Sequence, residues 1–291
     1  MIRFVAIHRD RGDVKMSTLS SLDSNTQSSI LDSRIIQQNI SPAVLSSIEK
    51  MECFNTLDST NRYLLEVAKT HHPRKNWICL AEQQIKGRGR QGRHWISPAG
   101  VNIYLSLLST IKTADLSGLS IAIGVIVAEA LNEFSATQVA LKWPNDILFD
   151  HKKLGGILIE TMPASAEGTF IIMGIGLNVN MSDTPSESIT QPWISLTQIL
   201  QEACDRNKLI GLIIDHCLKG LILFKQQGLT SFLKTWDRYD YLKNKIIQAE
   251  TETQTIIGNV QGINTQGFLL LKTISGQVET ITSIKKIKLI T

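Results

Sequence analysis

The chain has 291 residues, of which 43% are hydrophobic and 19% are charged. This composition is typical of a soluble globular protein and excludes a disordered or fibrous one. The formal net charge is +4, which equals the four cations that lie between residues 86 and 93. A nucleic-acid-binding protein usually spreads Lys and Arg along one face, so the charge favours a site for one small anion.

The four cysteines show no C-x-x-C spacing, and no secretory signal pattern opens the chain. The most apolar run, residues 116–131, falls short of the ~20 apolar residues that cross a bilayer and predicts a core helix. We therefore expect a cytoplasmic protein with reduced thiols and no membrane segment.

Polar residues dominate positions 1–29, which lack a sustained apolar period and predict a poorly ordered segment. Short helices are predicted over 30–40 and 42–49, followed by a strand over 51–57. An amphipathic helix over 61–70 comes next, because two residues favoured at helix N-caps precede its apolar stripe.

Two strands, over 77–81 and 101–108, bracket a loop that is rich in glycine and arginine. The core helix follows, and further strands are predicted over 139–143, 156–160 and 169–176. Strands and helices are mixed without a strict alternation of β and α units. The predicted fold class is therefore α+β with a mixed sheet.

The pattern is helical from 193 to 236 and changes after Tyr239. Residues 245–291 form short β-branched runs separated by glycines, which is the pattern of a small antiparallel meander or barrel. The sequence thus predicts a main domain over 30–239 and a small β domain over 240–291.

The strongest chemical signal is the loop from Lys86 to Trp95, which carries three glycines and four cations. Glycine lets backbone N–H groups approach a bound anion, and arginine forks match phosphate or carboxylate oxygens. The loop departs from both the P-loop and the Rossmann fingerprint. It predicts a phosphate-binding segment, and the alternative is a flexible, solvated basic loop.

The second signal combines Lys142-Trp-Pro-Asn-Asp146 with two lysines and two glycines at 152–156. A lysine can hold a phosphate or carboxylate oxygen, and an aspartate can orient that lysine or a metal. Taken without the first loop, the pattern favours the alternative, a β-hairpin with ordinary surface lysines and an Asx turn at Asn145-Asp146. Two further segments, 58–61 and 174–180, are compatible with ligand contacts but also with helix capping and an interrupted strand.

Taken together, these segments resemble the biotin protein ligase family, because five motifs occur in the order that the family shows. They are Asp58-Ser-Thr-Asn61, Gly87-Arg-Gly-Arg-Gln-Gly-Arg-His-Trp95, Lys142-Trp-Pro-Asn-Asp146, Lys153-Leu-Gly-Gly-Ile-Leu-Ile-Glu160 and Gly174-Ile-Gly-Leu-Asn178. The resemblance extends from about residue 30 to the end. It implies a class II synthetase-like mixed sheet followed by an SH3-like β-barrel.

The resemblance also implies a two-step reaction with biotin, ATP and Mg²⁺. Biotin and ATP would form biotinyl-5′-AMP, and the biotin would pass to a lysine of the biotin carboxyl carrier protein of acetyl-CoA carboxylase or a related carboxylase. A homodimer is compatible with the family's exposed sheet edges.

The family pattern assigns roles to individual residues of this chain. The implied biotin-binding residues are Ser59, Thr60, Asn61, Gln84, Arg88, Gly89, Arg90 and Lys153. The implied ATP- and adenylate-binding residues are Arg88, Arg90, Arg93, Trp95, Asn145, Asp146 and Asn178. The implied catalytic residues, which neutralise two reacting anions, are Lys153, Arg90 and Arg93. Asp146 is the candidate Mg²⁺ ligand, whereas Lys152 has no role in this pattern.

Two other functions remain open from the sequence. One is a lipoate or octanoate ligase or transferase, which shares the fold and the acyl-adenylate chemistry. The other is a biotin-sensing repressor with an N-terminal DNA-binding domain. Residues 1–57 carry six positive and six negative side chains, and Asp58 already belongs to a ligase motif. We therefore predict that the DNA-binding domain is absent and that the protein does not bind DNA.

Overall fold

The computed structural model describes residues 30–112, 115–164, 168–182, 189 and 191–290. The segment over 1–29, predicted to be poorly ordered, lies outside the described residues. A seven-stranded sheet in the order β1-β2-β3-β7-β6-β5-β4 forms the centre of the molecule. Its strands are β1 (Ile48–Leu57), β2 (Asn76–Gln84), β3 (Ile103–Ile111), β4 (Ala140–Lys142), β5 (Asp146–Phe149), β6 (Lys152–Pro163) and β7 (Thr169–Leu177).

The pairing of these strands confirms the predicted mixed sheet. Strands β1 and β2 run parallel, while the remaining neighbours are antiparallel. The helices are α1 (Ser33–Gln38), α2 (Pro42–Leu45), α3 (Thr60–His71), α4 (Leu119–Ser135), α5 (Leu196–Leu200), α6 (Arg206–Gln227) and α7 (Thr230–Tyr239).

Alternation along the strands divides the apolar side chains between two cores. On β2, Ile78 and Leu80 belong to the large core, which also contains the apolar side chains of α4 and α6. Trp77 and Cys79 point to the opposite face and pack with Leu64 and its neighbours on α3. Because successive strand residues face opposite sides, the sheet buries both faces under helices.

A buried ion pair connects α6 to β2 two residues before the end of that strand. The guanidinium of Arg206 is 1% exposed and lies 2.8 Å from Oε2 of Glu82, and it also donates to the carbonyl oxygen of Asn102. The other oxygen of Glu82 accepts from the backbone N–H of Leu31 at 2.6 Å. Removing one partner of a buried pair typically costs about 3–5 kcal/mol, so this contact fixes the strand that leads into the site.

The second sheet follows α7 and has five antiparallel strands in the order β11-β10-β9-β8-β12. They are β8 (Ile246–Glu250), β9 (Thr255–Ile263), β10 (Leu269–Thr273), β11 (Val278–Ile281) and β12 (Lys286–Leu289). The indole N–H of Trp143 donates to the carbonyl oxygen of Gly267 at 2.8 Å, which joins this sheet to the β4–β5 turn. The division of the chain at residue 240 stays a prediction.

Two predicted elements differ from the structure, and one strand was not predicted. The helix predicted over 42–49 ends at Leu45, because Ile48 already pairs with Asn76 in the parallel edge of the sheet. Strand β5 was missed, since its four residues follow directly on turn residues. The helical pattern from 193 to 236 is divided into three helices. Within the described part of the chain, every helix is too short or too polar to cross a bilayer.

Candidate active site

A cavity of about 810 Å³ lies over the end of β2 and the centre of β6 and β7. The glycine-rich loop forms one wall, the β4–β5 turn forms another, and residues 284–287, around the start of β12, complete the rim. Residues that are far apart in the chain therefore share one space.

Every residue of the predicted site lines this cavity. The set comprises Ser59, Thr60, Asn61, Gln84, Arg88, Gly89, Arg90, Arg93, Trp95, Asn145, Asp146, Lys153 and Asn178. The structure thus brings the predicted residues together, and their individual roles stay predictions.

The glycine-rich loop folds back on itself as a small hairpin. The N–H of Gly89 donates to the carbonyl of Arg93 at 2.7 Å, and the N–H of Trp95 donates to the carbonyl of Gly87 at 2.9 Å. Gln91 sits at the tip with φ 56°, in the left-handed region. The hairpin gives the arginines defined positions instead of leaving them on an open loop.

Side chains of the hairpin also contact the β4–β5 turn and the segment before β12. Arg90 donates to Oδ1 of Asn145 at 3.3 Å, and burial lowers the pKa of Arg90. Gln91 donates to the carbonyl of Ile284, and Arg93 donates to that of Lys285, each at 2.7 Å. The hairpin is therefore held over the cavity from the main sheet and from the second sheet.

One end of the cavity is a buried pocket of hydroxyl and amide groups. Ser59 caps α3 and is 4% exposed. The N–H and hydroxyl of Thr60 donate to Oε1 of Gln84 at 2.9 and 3.2 Å. The hydroxyl of Ser106 lies 2.6 Å from Oδ1 of Asn61. Buried polar groups of this kind suit the polar head of a small ligand, because they fix its orientation.

The charged end of the cavity centres on Lys153. Its ammonium lies 2.7 Å from Oδ1 of Asp146, and the two side chains are 16% and 25% exposed. The same ammonium is 5.4 Å from the centroid of the Trp95 ring. Lys152 points away from the cavity and is exposed. This arrangement places one lysine of the adjacent pair against the site.

The indole of Trp95 packs closely against β7 at Gly176. A Cβ atom at Gly176 would lie 2.7 Å from Cε2 of that ring, so only glycine permits this contact. The buried Nε1 of Trp95 has no hydrogen-bond partner among the described residues, although buried polar groups normally have one. Trp95 lines the cavity, so the ring offers a ligand an apolar surface, whereas its Nε1 atom is buried.

Two family models match separate parts of the chain. Residues 53–178 match the model of the Biotin/lipoate A/B protein ligase family, and residues 244–283 match that of the Biotin protein ligase C terminal domain. The chain is 37% identical over 221 residues to the bifunctional ligase/repressor BirA of Escherichia coli, covering 74% of this chain and 67% of that protein. The chain belongs to the biotin protein ligase family.

Two further relatives support the membership. The biotin--[acetyl-CoA-carboxylase] ligase of Mycobacterium tuberculosis is 28% identical over 219 residues, which cover 73% of this chain and 79% of that ligase. The biotin protein ligase from Aquifex aeolicus, solved in complex with biotin and ATP, has 29% identity and a TM-score of 0.71, covering 83% of this chain and 98% of the other. The match of the second domain favours a biotin ligase over the lipoate alternative.

Two residues of this ligase were absent from the predicted site although their motifs were recognised. Lys142 lines the cavity and is half-buried. Burial lowers its pKa, Asp146 opposes this shift, and Lys153 and Arg93 add to it. Glu160 lies behind Arg88 and forms an ion pair with it. Periodicity could not find either residue, because each contact joins segments that are distant in the chain.

Asn178 was predicted to contact the nucleotide. Its Nδ2 group donates to the carbonyls of Lys153 and Ile194 at 3.2 and 3.1 Å. The amide of Asn178 therefore connects the start of β6 to the segment before α5. This geometry favours a structural contribution, while the predicted nucleotide contact stays untested.

The predicted magnesium site can be compared with the donors present. No group of three or more His, Cys, Asp or Glu side chains suited to a metal occurs among the described residues. Asp146 is the one acidic residue among those that line the cavity. A single carboxylate fits Mg²⁺, which usually keeps several waters and binds substrate phosphates alongside one or two carboxylates.

Proposed function

We propose that this ligase joins biotin to ATP, forming biotinyl-5′-AMP, and then transfers the biotin to a lysine of a carboxylase carrier protein. The observation that carries the proposal is the charge distribution of the cavity. Seven lysines and arginines and a single acidic residue line it, next to an uncharged polar pocket. Two anions must meet for the first step, and preorganised cations lower the barrier to that encounter.

The first step follows from the positions of these groups. Thr60, Gln84 and Ser59 would hold the polar head of biotin and direct its carboxylate towards Lys153. A carboxylate oxygen attacks the α-phosphorus of ATP, a new P–O bond forms, and the bond to pyrophosphate breaks. Lys153 and Arg90 offset the charge of the two anions, and Trp95 offers a flat face to the adenine. Mg²⁺ at Asp146 would supply further charge neutralisation of the phosphates.

The second step needs a nucleophile from outside the chain. The neutral amine of a carrier lysine attacks the carbonyl carbon of the mixed anhydride, AMP leaves with the bonding electrons, and the nitrogen loses a proton. The hairpin covers the cavity, so it would keep water from the anhydride until the carrier arrives. We place the reaction in the cytoplasm, since all four cysteines are free thiols and reduced thiols are typical of that compartment.

The assembly of the ligase is part of the same proposal. The main sheet ends in β1 on one side, and an unpaired sheet edge can pair with a second chain. On the other side, β4 is already bridged by Asp240 and Tyr241. A homodimer formed at the β1 edge is consistent with the fold, and sedimentation of the purified protein with and without biotin would test it.

A direct experiment is incubation with biotin, ATP, Mg²⁺ and a biotin carrier domain, followed by mass spectrometry of the carrier. The expected result is a mass increase of one biotinyl group that requires ATP and the acceptor lysine. A carrier in which that lysine is replaced by arginine is the control. Preference for lipoate in a competition with biotin would refute the proposal.

A further inference from the structure

Glu160 lies on β6 outside the main cavity, yet it bonds to two residues that line it. One carboxylate oxygen accepts from the guanidinium of Arg88, and the other accepts from Nδ2 of Asn61 at 2.8 Å. The side chain of Glu160 is 22% exposed. It thus joins the glycine-rich hairpin to the buried polar pocket.

The ion pair with Glu160 restrains Arg88, which lies in a glycine-rich segment of the backbone. Arg88 stands between Gly87 and Gly89, and glycine loses more backbone entropy on ordering than other residues. Arg88 lines the main cavity on one side and a smaller cavity of about 480 Å³, shared with Glu160, on the other. A guanidinium has five N–H donors, so the bond to Glu160 leaves others available to a ligand.

The contact with Asn61 fixes the orientation of an amide. Its Nδ2 donates to Glu160 and to the carbonyl of Leu158 at 3.3 Å, and its Oδ1 accepts from Ser106. A Cβ atom at Gly174 would lie 2.4 Å from that Oδ1. Asn61 is therefore held on every side, and the carboxylate is one of its two acceptors.

We propose that Glu160 is a positioning residue that holds Arg88 in its ligand-binding orientation and couples the hairpin to the biotin pocket. The inference rests on the proposed function for its ligand, but the contact itself exists in the free protein. Glu160 does not line the main cavity. It acts through Arg88, and its loss matters to binding more than to the chemical step.

The first test is Glu160→Gln, which keeps the shape of the side chain and removes its charge. We expect the KM for biotin to rise about 5- to 30-fold, because one charge-assisted hydrogen bond to a partly exposed arginine is lost. The kcat should stay within about twofold of the parental value. Glu66→Gln is the matched control, because that carboxylate pairs with Lys69 on the exposed surface of α3 and surface substitutions change little. An unchanged KM for Glu160→Gln would overturn the proposal.

A double-mutant cycle separates positioning from general damage. If Glu160 acts through Arg88, the variant with both Glu160→Gln and Arg88→Gln should bind biotin as weakly as Arg88→Gln alone. Losses that multiply would contradict the proposed route.

Limited trypsin digestion tests the contact without any ligand. The hairpin of free Glu160→Gln should be cut after Arg90 and Arg93 several-fold faster than that of the parent, and equal rates would refute the inference. If Glu160→Gln failed to fold, Arg88→Gln would provide the same comparison from the other partner. If the parent protein forms no biotinyl-5′-AMP, the proposed function is wrong. The digestion result would then still decide the role of Glu160.

Discussion

Lys153 and Lys152 are neighbours in the chain with opposite surroundings, so their substitution provides an internally controlled test of the site. Lys153 lines the cavity and pairs with Asp146 at 2.7 Å, whereas Lys152 is exposed. We expect Lys153→Ala to abolish most adenylate formation and Lys152→Ala to leave it within about twofold of the parent.

The size of the effect follows from the environment of the ammonium group. Removing one preorganised electrostatic contact to a developing charge costs on the order of 10²–10³ in rate. Lys153→Ala also leaves the carboxylate of Asp146, which is 25% exposed, without its partner beside two incoming anions. Both effects act in the same direction, so we expect a loss at the upper end of that range.

Pyrophosphate release in the presence of biotin and ATP measures the first step alone. Thermal unfolding of both variants checks that the fold is retained. Equal losses in the two variants, or a Lys153→Ala enzyme that keeps more than about a tenth of the parental rate, would refute the assignment of Lys153 to the reacting anions.

Three further predictions concern other parts of the ligase. Arg90→Gly should release biotinyl-5′-AMP roughly 10- to 150-fold faster, because a charge-assisted hydrogen bond is lost. Filter-retention assays measure the half-life of the bound adenylate, and an unchanged half-life would contradict the prediction. Burial raises the pKa of the Cys79 thiol, and it raises the pKa of Cys217 to about 12. Both thiols should therefore resist a thiol reagent at pH 8 until urea unfolds the chain. Rapid labelling of either cysteine in the native protein would contradict this prediction.

The third of these is a pH dependence of stability. Burial alone raises the pKa of Asp215, but hydrogen bonds from Lys219 and Ser41 outweigh it and lower the pKa below 3.8. A carboxylate with a lowered folded-state pKa stabilises the protein above its unfolded pKa and stops doing so as the pH falls through the folded one. Asp215→Asn should therefore cost about 1–3 kcal/mol at pH 7, and a urea denaturation series should show that difference shrinking as the pH falls from about 4 through the lowered folded-state pKa of Asp215. A constant difference would argue against it.

The sequence predicted the elements whose pattern is local. Helix α3 and strands β2 and β7 were found because their apolar period is carried by neighbouring residues. Strand β5 was not found, because four residues beside a turn are too few to establish a period. The start of β1 was misplaced, since its pairing with β2 is set by residues 28 positions away, Ile48 with Asn76.

The candidate site was predicted at the level of motifs and only partly at the level of contacts. The spacing of glycines, arginines and lysines indicated which segments would meet a ligand, and these segments do line one cavity. The brace from Glu160 to Arg88 spans 72 positions, and no local pattern encodes it. Lys142 was named within its motif, but its burial beside Lys153 and Arg93 follows only from the folded chain.

Side chains of the hairpin donate hydrogen bonds to the main-chain carbonyls of Ile284 and Lys285, which lie just before the last strand. A carbonyl oxygen belongs to every amino acid, so exchanging either side chain leaves both acceptors in place. Related sequences can therefore drift at these two positions without losing the contact, and a search for co-varying residue pairs would overlook it. On the acceptor side, only a change in the path of the backbone, such as an insertion between β11 and β12, would break these two contacts.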